Sequence, residues 1–167
     1  PTSVLYHWEG LLAQFLPEIS VYCHYGHHRK IENFSGQDLF LTSYGTLRTD
    51  IQKIKKLNFE VAIFDEMQSA KNKHSQIHKS LKALKARMKL GLTGTPIEND
   101  LTELKALFDI LLPSFFPSDE QFKQMFIATQ ERPDYGKRSQ LLKQLINPFI
   151  LRRRKSEVLQ DLPEKIE

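Results

Sequence analysis

The chain has 167 residues, 40% of them hydrophobic and 26% charged, which is enough apolar surface for one globular domain and too much for a disordered tail. One cysteine excludes an internal disulfide framework and a multi-cysteine zinc site, and fits a reducing compartment. A formal charge of +4 permits a nucleic-acid partner without requiring one, and no apolar run reads as a signal peptide or a membrane span, so no membrane partner is expected. The chain opens at Pro1-Thr2-Ser3 without Met and reads as a piece of something longer.

Leu5, Trp8, Leu11, Leu12, Phe15 and Leu16 fall at helical spacing, with Thr2 or Ser3 as N-cap. Ile19, Val21 and Cys23 alternate with polar residues and predict a short strand. The polar stretch 25–30 comes next as a loop. Leu39-Phe40-Leu41 predicts a second strand, ending in Thr42-Ser43-Tyr44-Gly45, and then a helix carrying Leu47, Ile51 and Ile54. Val61-Ala62-Ile63-Phe64 is a continuous apolar run, the pattern of a strand buried between two helix layers. Ile77, Leu81, Leu84 and Met88 predict another helix. Leu90-Gly91-Leu92-Thr93 predicts a strand closed by Gly94-Thr95-Pro96. Strands alternating with helices predict an open α/β sheet with right-handed crossovers.

After Pro96 the strand signals fade. Asn99 or Asp100 caps a helix holding Leu101, Leu104, Leu107, Phe108 and Leu111. Pro113 and Pro117 bracket a turn around Phe115 and Phe116. Ser118 and Gln121 have capping-box spacing ahead of Phe122 and Phe126, residues 130–138 read as a loop, and Leu141 to Ile146 predict a last helix. Residues 1–96 are thus expected to be α/β and 97–150 a helical appendage.

Three stretches carry chemistry. The apolar run at 61–64 stops at Asp65-Glu66, which delivers two carboxylates to the sheet's C-terminal edge, where ligands of open α/β sheets bind. In nucleoside triphosphatases such an Asp helps hold Mg²⁺ and the adjacent Glu serves the attacking water. Taken alone, Asp65-Glu66 equally well ends a strand and caps the next turn. Thr93-Gly94-Thr95-Pro96 would set two small hydroxyls and a glycine beside the same edge, or form an ordinary polar turn. Arg152-Arg153-Arg154-Lys155 after an apolar anchor could grip phosphates, or be a solvated face. His74 and His78 stand at i, i+4 but lack a third ligand, and Cys23 reads as a small core residue.

Together these stretches resemble the first motor lobe of the Swi/Snf-type DNA translocases of helicase superfamily two, nearly end to end. Residues 1–8 look like motif Ia, and 41–48 like motif Ib. Ile63 to Gln68 with Lys71-Asn72 looks like motif II, Leu92 to Asn99 like motif III and its continuation, and 149–162 like the segment leading to the second lobe. The chain departs from the family pattern at Met67, where a small residue is customary, and at Lys105, where Trp is common. It contains no G-x-x-x-x-G-K-[ST] phosphate loop, which is expected upstream of Pro1, and the second lobe with its arginine finger is expected after Glu167.

The resemblance implies a partial RecA-like, mostly parallel sheet with flanking helices over residues 1–96, a helical protrusion over 97–150 and a linker over 151–167. It implies ATP and Mg²⁺ as cofactors, with Asp65 coordinating the metal through water and Glu66 activating water. Gln68, Thr93, Gly94 and Thr95 would couple nucleotide state to DNA grip. Thr2, Ser3, Ser43 and Tyr44 would touch the DNA backbone through hydroxyls and main-chain amides, joined by Arg152 and Arg153. The implied function is ATP-driven movement on double-stranded DNA that remodels DNA-bound protein such as RNA polymerase, in the bacterial cytoplasm or, in a eukaryote, the nucleus. The alternative is a pseudo-motor that holds DNA or protein without hydrolysis. Residues 1–167 by themselves are expected not to hydrolyse ATP, because nothing in them cradles the phosphates.

Overall fold

The computed structural model describes residues 2–94, 100–127 and 135–153. The chain forms two compact units, Pro1–Phe116 and Pro117–Glu167. In the first, α1 (Thr2–Phe15) leads into β1 (Val21–His24) and β2 (Leu39–Thr42). Then come α2 (Tyr44–Ile54), β3 (Asn58–Phe64), α3 (Gln76–Ala83), β4 (Lys85–Gly91) and α4 (Leu101–Leu111). Both strand pairs are parallel: β1 lies beside β2 with Val21 opposite Leu39, and β3 beside β4 with Asn58 opposite Lys85 and Phe64 opposite Gly91. The α/β reading holds, and β3–α3–β4 is a β-helix-β crossover of the kind that parallel pairing requires.

The helices begin where short polar side chains satisfy first-turn amides. Ser43 accepts from the Thr46 amide at 3.1 Å, Ser75 from His78 at 3.1 Å, and Asp100 from Thr102 at 2.8 Å and Glu103 at 3.2 Å. Their inner faces close on β3. Leu47 and Ile54 of α2, Ala62 and Phe64 of β3, Met67 and Ala70 of the following turn, Leu81 of α3 and Leu107 and Ile110 of α4 form one core.

The expectations for β3 and for the helix after it need correcting. The apolar run of β3 is not buried on both faces: Ala62 and Phe64 enter the core, whereas Val61 is 50% and Ile63 58% exposed. Their partners across the ladder, Met88 and Leu90, are exposed on that same face. The helix drawn through Leu84 and Met88 ends instead at Ala83. Leu84 turns extended (φ −68°, ψ 138°), and Met88 belongs to β4, which begins at Lys85 rather than Leu90. The segment Lys-Ala-Arg-Met-Lys-Leu favours a helix by intrinsic propensity, and pairing along the whole of β3 overrides it.

The appendage expected from residue 97 has its first helix inside the first unit, where α4 packs on α3, β4 and the turn after β3. Phe108, Phe115 and Phe116 gather at its end with ring centroids 4.8–5.6 Å apart. Lys105 is buried along α4 and donates to Asp109 at 2.8 Å, one turn on.

In the second unit Ser118 caps α5 (Asp119–Phe122), accepting from the Gln121 amide at 3.3 Å, and the chain winds on as a π-helical turn, Lys123–Ile127. Phe122 and Phe126 meet at a tilt of 52° with centroids 5.1 Å apart and are buried, as are Leu142 and Ile146 of α6 (Tyr135–Ile146). The start of α6 at Tyr135 places residues 135–138 in helix where a loop is expected. Among the described residues no helix is long and apolar enough to cross a membrane.

Candidate functional site

β3 ends at Phe64, so Asp65 and Glu66 stand at its C-terminal edge, as the sequence predicts. Beyond the strand the ladder is prolonged by two bonds: the Leu92 amide donates to the Phe64 carbonyl at 2.8 Å, and the Met67 amide to the Leu92 carbonyl at 2.9 Å. The carboxylate turn is therefore fastened to the chain leaving β4. Glu66 is left-handed (φ 49°, ψ 48°), a conformation that costs a non-glycine residue of order 1–3 kcal/mol and that the fastened turn sustains.

Asp65 is held at three points. Its Oδ1 accepts from the Glu66 amide at 2.9 Å, its Oδ2 from the Trp8 indole of α1 at 3.0 Å, and its main-chain carbonyl from the Tyr44 hydroxyl at 2.6 Å. Glu66 Oε2 accepts from the Gln68 amide group at 2.5 Å, and Gln68 Oε1 accepts from Thr93 Oγ1 at 2.7 Å. One relay thus joins Glu66, Gln68 and Thr93 between the ends of β3 and β4. Burial, then the negative charges of Asp65 and Glu66, push the Tyr44 phenol well above its usual range, so it remains a protonated donor. Lys71, one turn further, pairs with Glu103 of α4 at 2.9 Å in an exposed contact.

The structure brings together Asp65, Glu66, Gln68, Thr93 and Tyr44, with Gly94 next in chain. The Tyr44 hydroxyl turns inward to the Asp65 carbonyl, and the Ser43 hydroxyl caps α2, accepting from the Thr46 amide and donating to Thr46 Oγ1 at 3.0 Å. Thr2 and Ser3 form the first turn of α1; their side chains, and Thr95, Arg154 and Lys155, lie outside the described residues. Arg152 and Arg153 are exposed and belong to the second unit. The role of Trp8 at Asp65 escapes the sequence, because helical spacing already accounts for Trp8 as an apolar-face residue and nothing local marks a partner 57 positions away.

Two oxygens of Asp65, each with one donor and a further lone pair, and the neighbouring Glu66 make an all-oxygen set. Among the described residues no three His, Cys, Asp or Glu side chains cluster as a cage. That suits Mg²⁺, which takes one or two carboxylates and fills its octahedron with water and substrate phosphates, better than a metal needing a full protein cage. His78 is buried on α3, its Nδ1 lies 3.0 Å from the Ala70 carbonyl, and burial pushes its imidazole below the usual range.

Met67, the bulky residue in this turn, fits because β4 ends in glycine. A Cβ on Gly91 would sit far inside van der Waals contact with Met67 Sδ and would also press on Leu111 Cδ1. Met67 is 2% exposed, between strand and α4.

A second polar cluster forms at the end of β1. His24, 2% exposed, places Nε2 2.9 Å from Asp50 Oδ2. Arg29 donates to the same oxygen at 2.6 Å and to Oδ1 at 3.3 Å, and also reaches the Gly26 carbonyl. The Arg29 hydrogen bond, then that of His24, hold the Asp50 carboxyl below its usual range against the opposing effect of burial.

The family description "SNF2-related domain" matches residues 1–167. The Bacillus subtilis protein YwqA, named as an ATP-dependent helicase/translocase, is 38% identical over 174 residues, covering 100% of this chain and 19% of its own length. The TATA-binding protein-associated factor MOT1 of Saccharomyces cerevisiae is 34% identical over 182 residues, covering 99% of this chain and 10% of its own. The structure of the Sulfolobus solfataricus SWI2/SNF2 ATPase core in complex with double-stranded DNA superposes with a TM-score of 0.84 at 34% identity, over 98% of this chain and 35% of that one. The chain therefore belongs to the SNF2-related domain family and corresponds to the first RecA-like lobe of the SWI2/SNF2 core from motif Ia onward.

Proposed function

We propose that this chain is part of an ATP-dependent motor that moves on double-stranded DNA and remodels DNA-bound protein, RNA polymerase being one such substrate. The observation that carries the reading is the carboxylate turn itself: Asp65 and Glu66 at the end of β3, tied to Thr93 through Gln68 and to α1 and α2 through Trp8 and Tyr44. The names of the relatives support ATP use, and the archaeal core in complex with DNA supports duplex DNA as the track.

In this reading Asp65 would hold Mg²⁺ through water, which would supply positive charge against the negative charge developing on the phosphates when ATP is bound. Glu66 orients the attacking water and takes its proton. Gln68, Thr93, Gly94 and Thr95 report nucleotide state to the chain after β4. Ser43 and Tyr44 at the N-terminus of α2, with Thr2 and Ser3 of α1, meet the phosphate backbone, whose negative charge suits a helix N-terminus. Arg152 and Arg153 add salt-sensitive phosphate contacts. Residues 1–96 are the lobe, 97–150 a protrusion rooted by α4, and 151–167 the linker; the protein works with DNA in the bacterial cytoplasm, or in the nucleus of a eukaryote.

The test is Glu66→Gln in the full-length protein. DNA-stimulated phosphate release should fall by about 10²–10⁴-fold, the range for losing a general base, while ATP binding persists. Turnover equal to wild type would refute the motor reading and favour a non-hydrolysing binding module.

A further inference from the structure

We propose that Trp8 is a positioning residue for Asp65, and that duplex DNA engaging α1 is communicated to the metal-holding carboxylate through the indole hydrogen bond. The inference deepens the function proposed above and rests on it for the roles of Asp65 and of α1.

A carboxylate held at one oxygen can still rotate about its Cβ–Cγ bond. The Glu66 amide holds Oδ1 at 2.9 Å, and Trp8 Nε1 holds Oδ2 at 3.0 Å, so the two donors together define the plane in which the remaining lone pairs point. The Oδ1 donor is the next residue in the chain and moves with Asp65. The Oδ2 donor belongs to a different element, so the orientation depends on where α1 sits. An indole is also the right kind of donor. It is neutral, and leaves the full carboxylate charge for a cation, where a Lys or Arg would neutralise it.

The helix is built to carry such a signal. Leu5 and Leu12 are buried on either side of Trp8, at i−3 and i+4, so the face that bears the indole is the face that is anchored. The first turn of α1 lies about 9 Å up the axis, at 1.5 Å rise per residue, where Thr2 and Ser3 are proposed to meet DNA. Independently, the first residue of α2, Tyr44, donates to the Asp65 carbonyl at 2.6 Å. The two helices proposed to touch DNA thus converge, from positions 57 and 21 residues away, on one amino acid.

The experiment replaces Trp8 in the full-length protein with Phe, which keeps an aromatic ring and loses the N–H, and in parallel with benzothienylalanine, which keeps the bicyclic shape and substitutes sulfur for the donor. Two readouts are independent of turnover. Amide hydrogen exchange is followed at residues 65–68 with and without duplex DNA, and binding of a fluorescent ADP analogue is titrated with Mg²⁺. In wild type, DNA should slow exchange at 65–68 and lower the Mg²⁺ needed. In both variants DNA should still slow exchange in α1 but no longer at 65–68. The Mg²⁺ requirement should rise about tenfold, the scale of one hydrogen bond to a charged group, with kcat reduced and the KM for ATP unchanged. DNA-dependent slowing at 65–68 and a wild-type Mg²⁺ requirement in the benzothienylalanine protein would overturn the proposal, whether or not Trp8→Phe folds. If instead DNA protects neither α1 nor α2, and Glu66→Gln turns over normally, it is the motor reading that fails.

Discussion

Two polar clusters sit at the ends of parallel strands in the same unit, and they are wired in opposite ways. At the end of β1 the Asp50 carboxylate is met by Arg29 and by the His24 ring, and its charge is answered within the protein. At the end of β3 the donors to Asp65 and Glu66 are an indole, a backbone amide and a side-chain amide, all neutral. The first arrangement is complete; the second fixes geometry while leaving negative charge available to a cation. A carboxylate closed by a guanidinium ties β1 and its loop to α2, whereas a carboxylate oriented by neutral donors is ready for metal chemistry.

One substitution made in both places separates the two. On the proposed role of Asp65, Asp65→Asn should lower DNA-stimulated turnover of the full-length protein by about 10²-fold or more, since the charge that would hold the metal is lost, and it should cost less in melting temperature than Asp50→Asn, because relief of the repulsion with Glu66 offsets part of the loss where one donor, the Trp8 indole or the Glu66 amide, faces the Asn NH2. Asp50→Asn should do the reverse. It should cost about 1–3 kcal/mol in urea unfolding, the scale for leaving buried polar partners unsatisfied, with turnover per folded molecule preserved. Equal effects on stability at the two sites would break the comparison.

The pH dependence sharpens it. Because the folded Asp50 carboxyl lies below its unfolded value, the stability it contributes is fully present above the unfolded carboxylate range near pH 4 and is lost as pH falls through the folded value. The melting-temperature gap between wild type and Asp50→Asn should be widest near neutrality and close in acid. The smallest effect is expected at the exposed pair Arg87–Glu60, 3.0 Å apart across β3 and β4, where Arg87→Ala should change stability by under about 1 kcal/mol.

What the sequence announced in advance was local. Asp100 and Ser118 cap helices because an N-cap needs only a short side chain and the amides just beyond it, and Asp65-Glu66 end β3 because an apolar run stops there. What stayed hidden depends on neighbours far along the chain. The residues of β4 fit a helix on propensity and become a strand only because β3 lies alongside. Val61 and Ile63 match Ala62 and Phe64 in hydrophobicity, and only packing against α2, α3 and α4 separates the covered face from the bare one. The indole of Trp8 carries a donor on a ring that an apolar pattern treats as core.

The seat of Met67 has one more consequence. Gly91 withholds a side chain so that the thioether can occupy that volume, with Leu111 behind it, and positions 67 and 91 therefore form a single steric choice divided between two segments. A side chain at 91 demands a smaller one at 67; altering either alone leaves a collision or a hole, and altering both in opposite senses restores the fill. The same wedge doubles the backbone fastening: the carboxylate turn meets the end of β4 once through the Met67 side chain seated over Gly91 and once through the Met67 amide bonded to the Leu92 carbonyl.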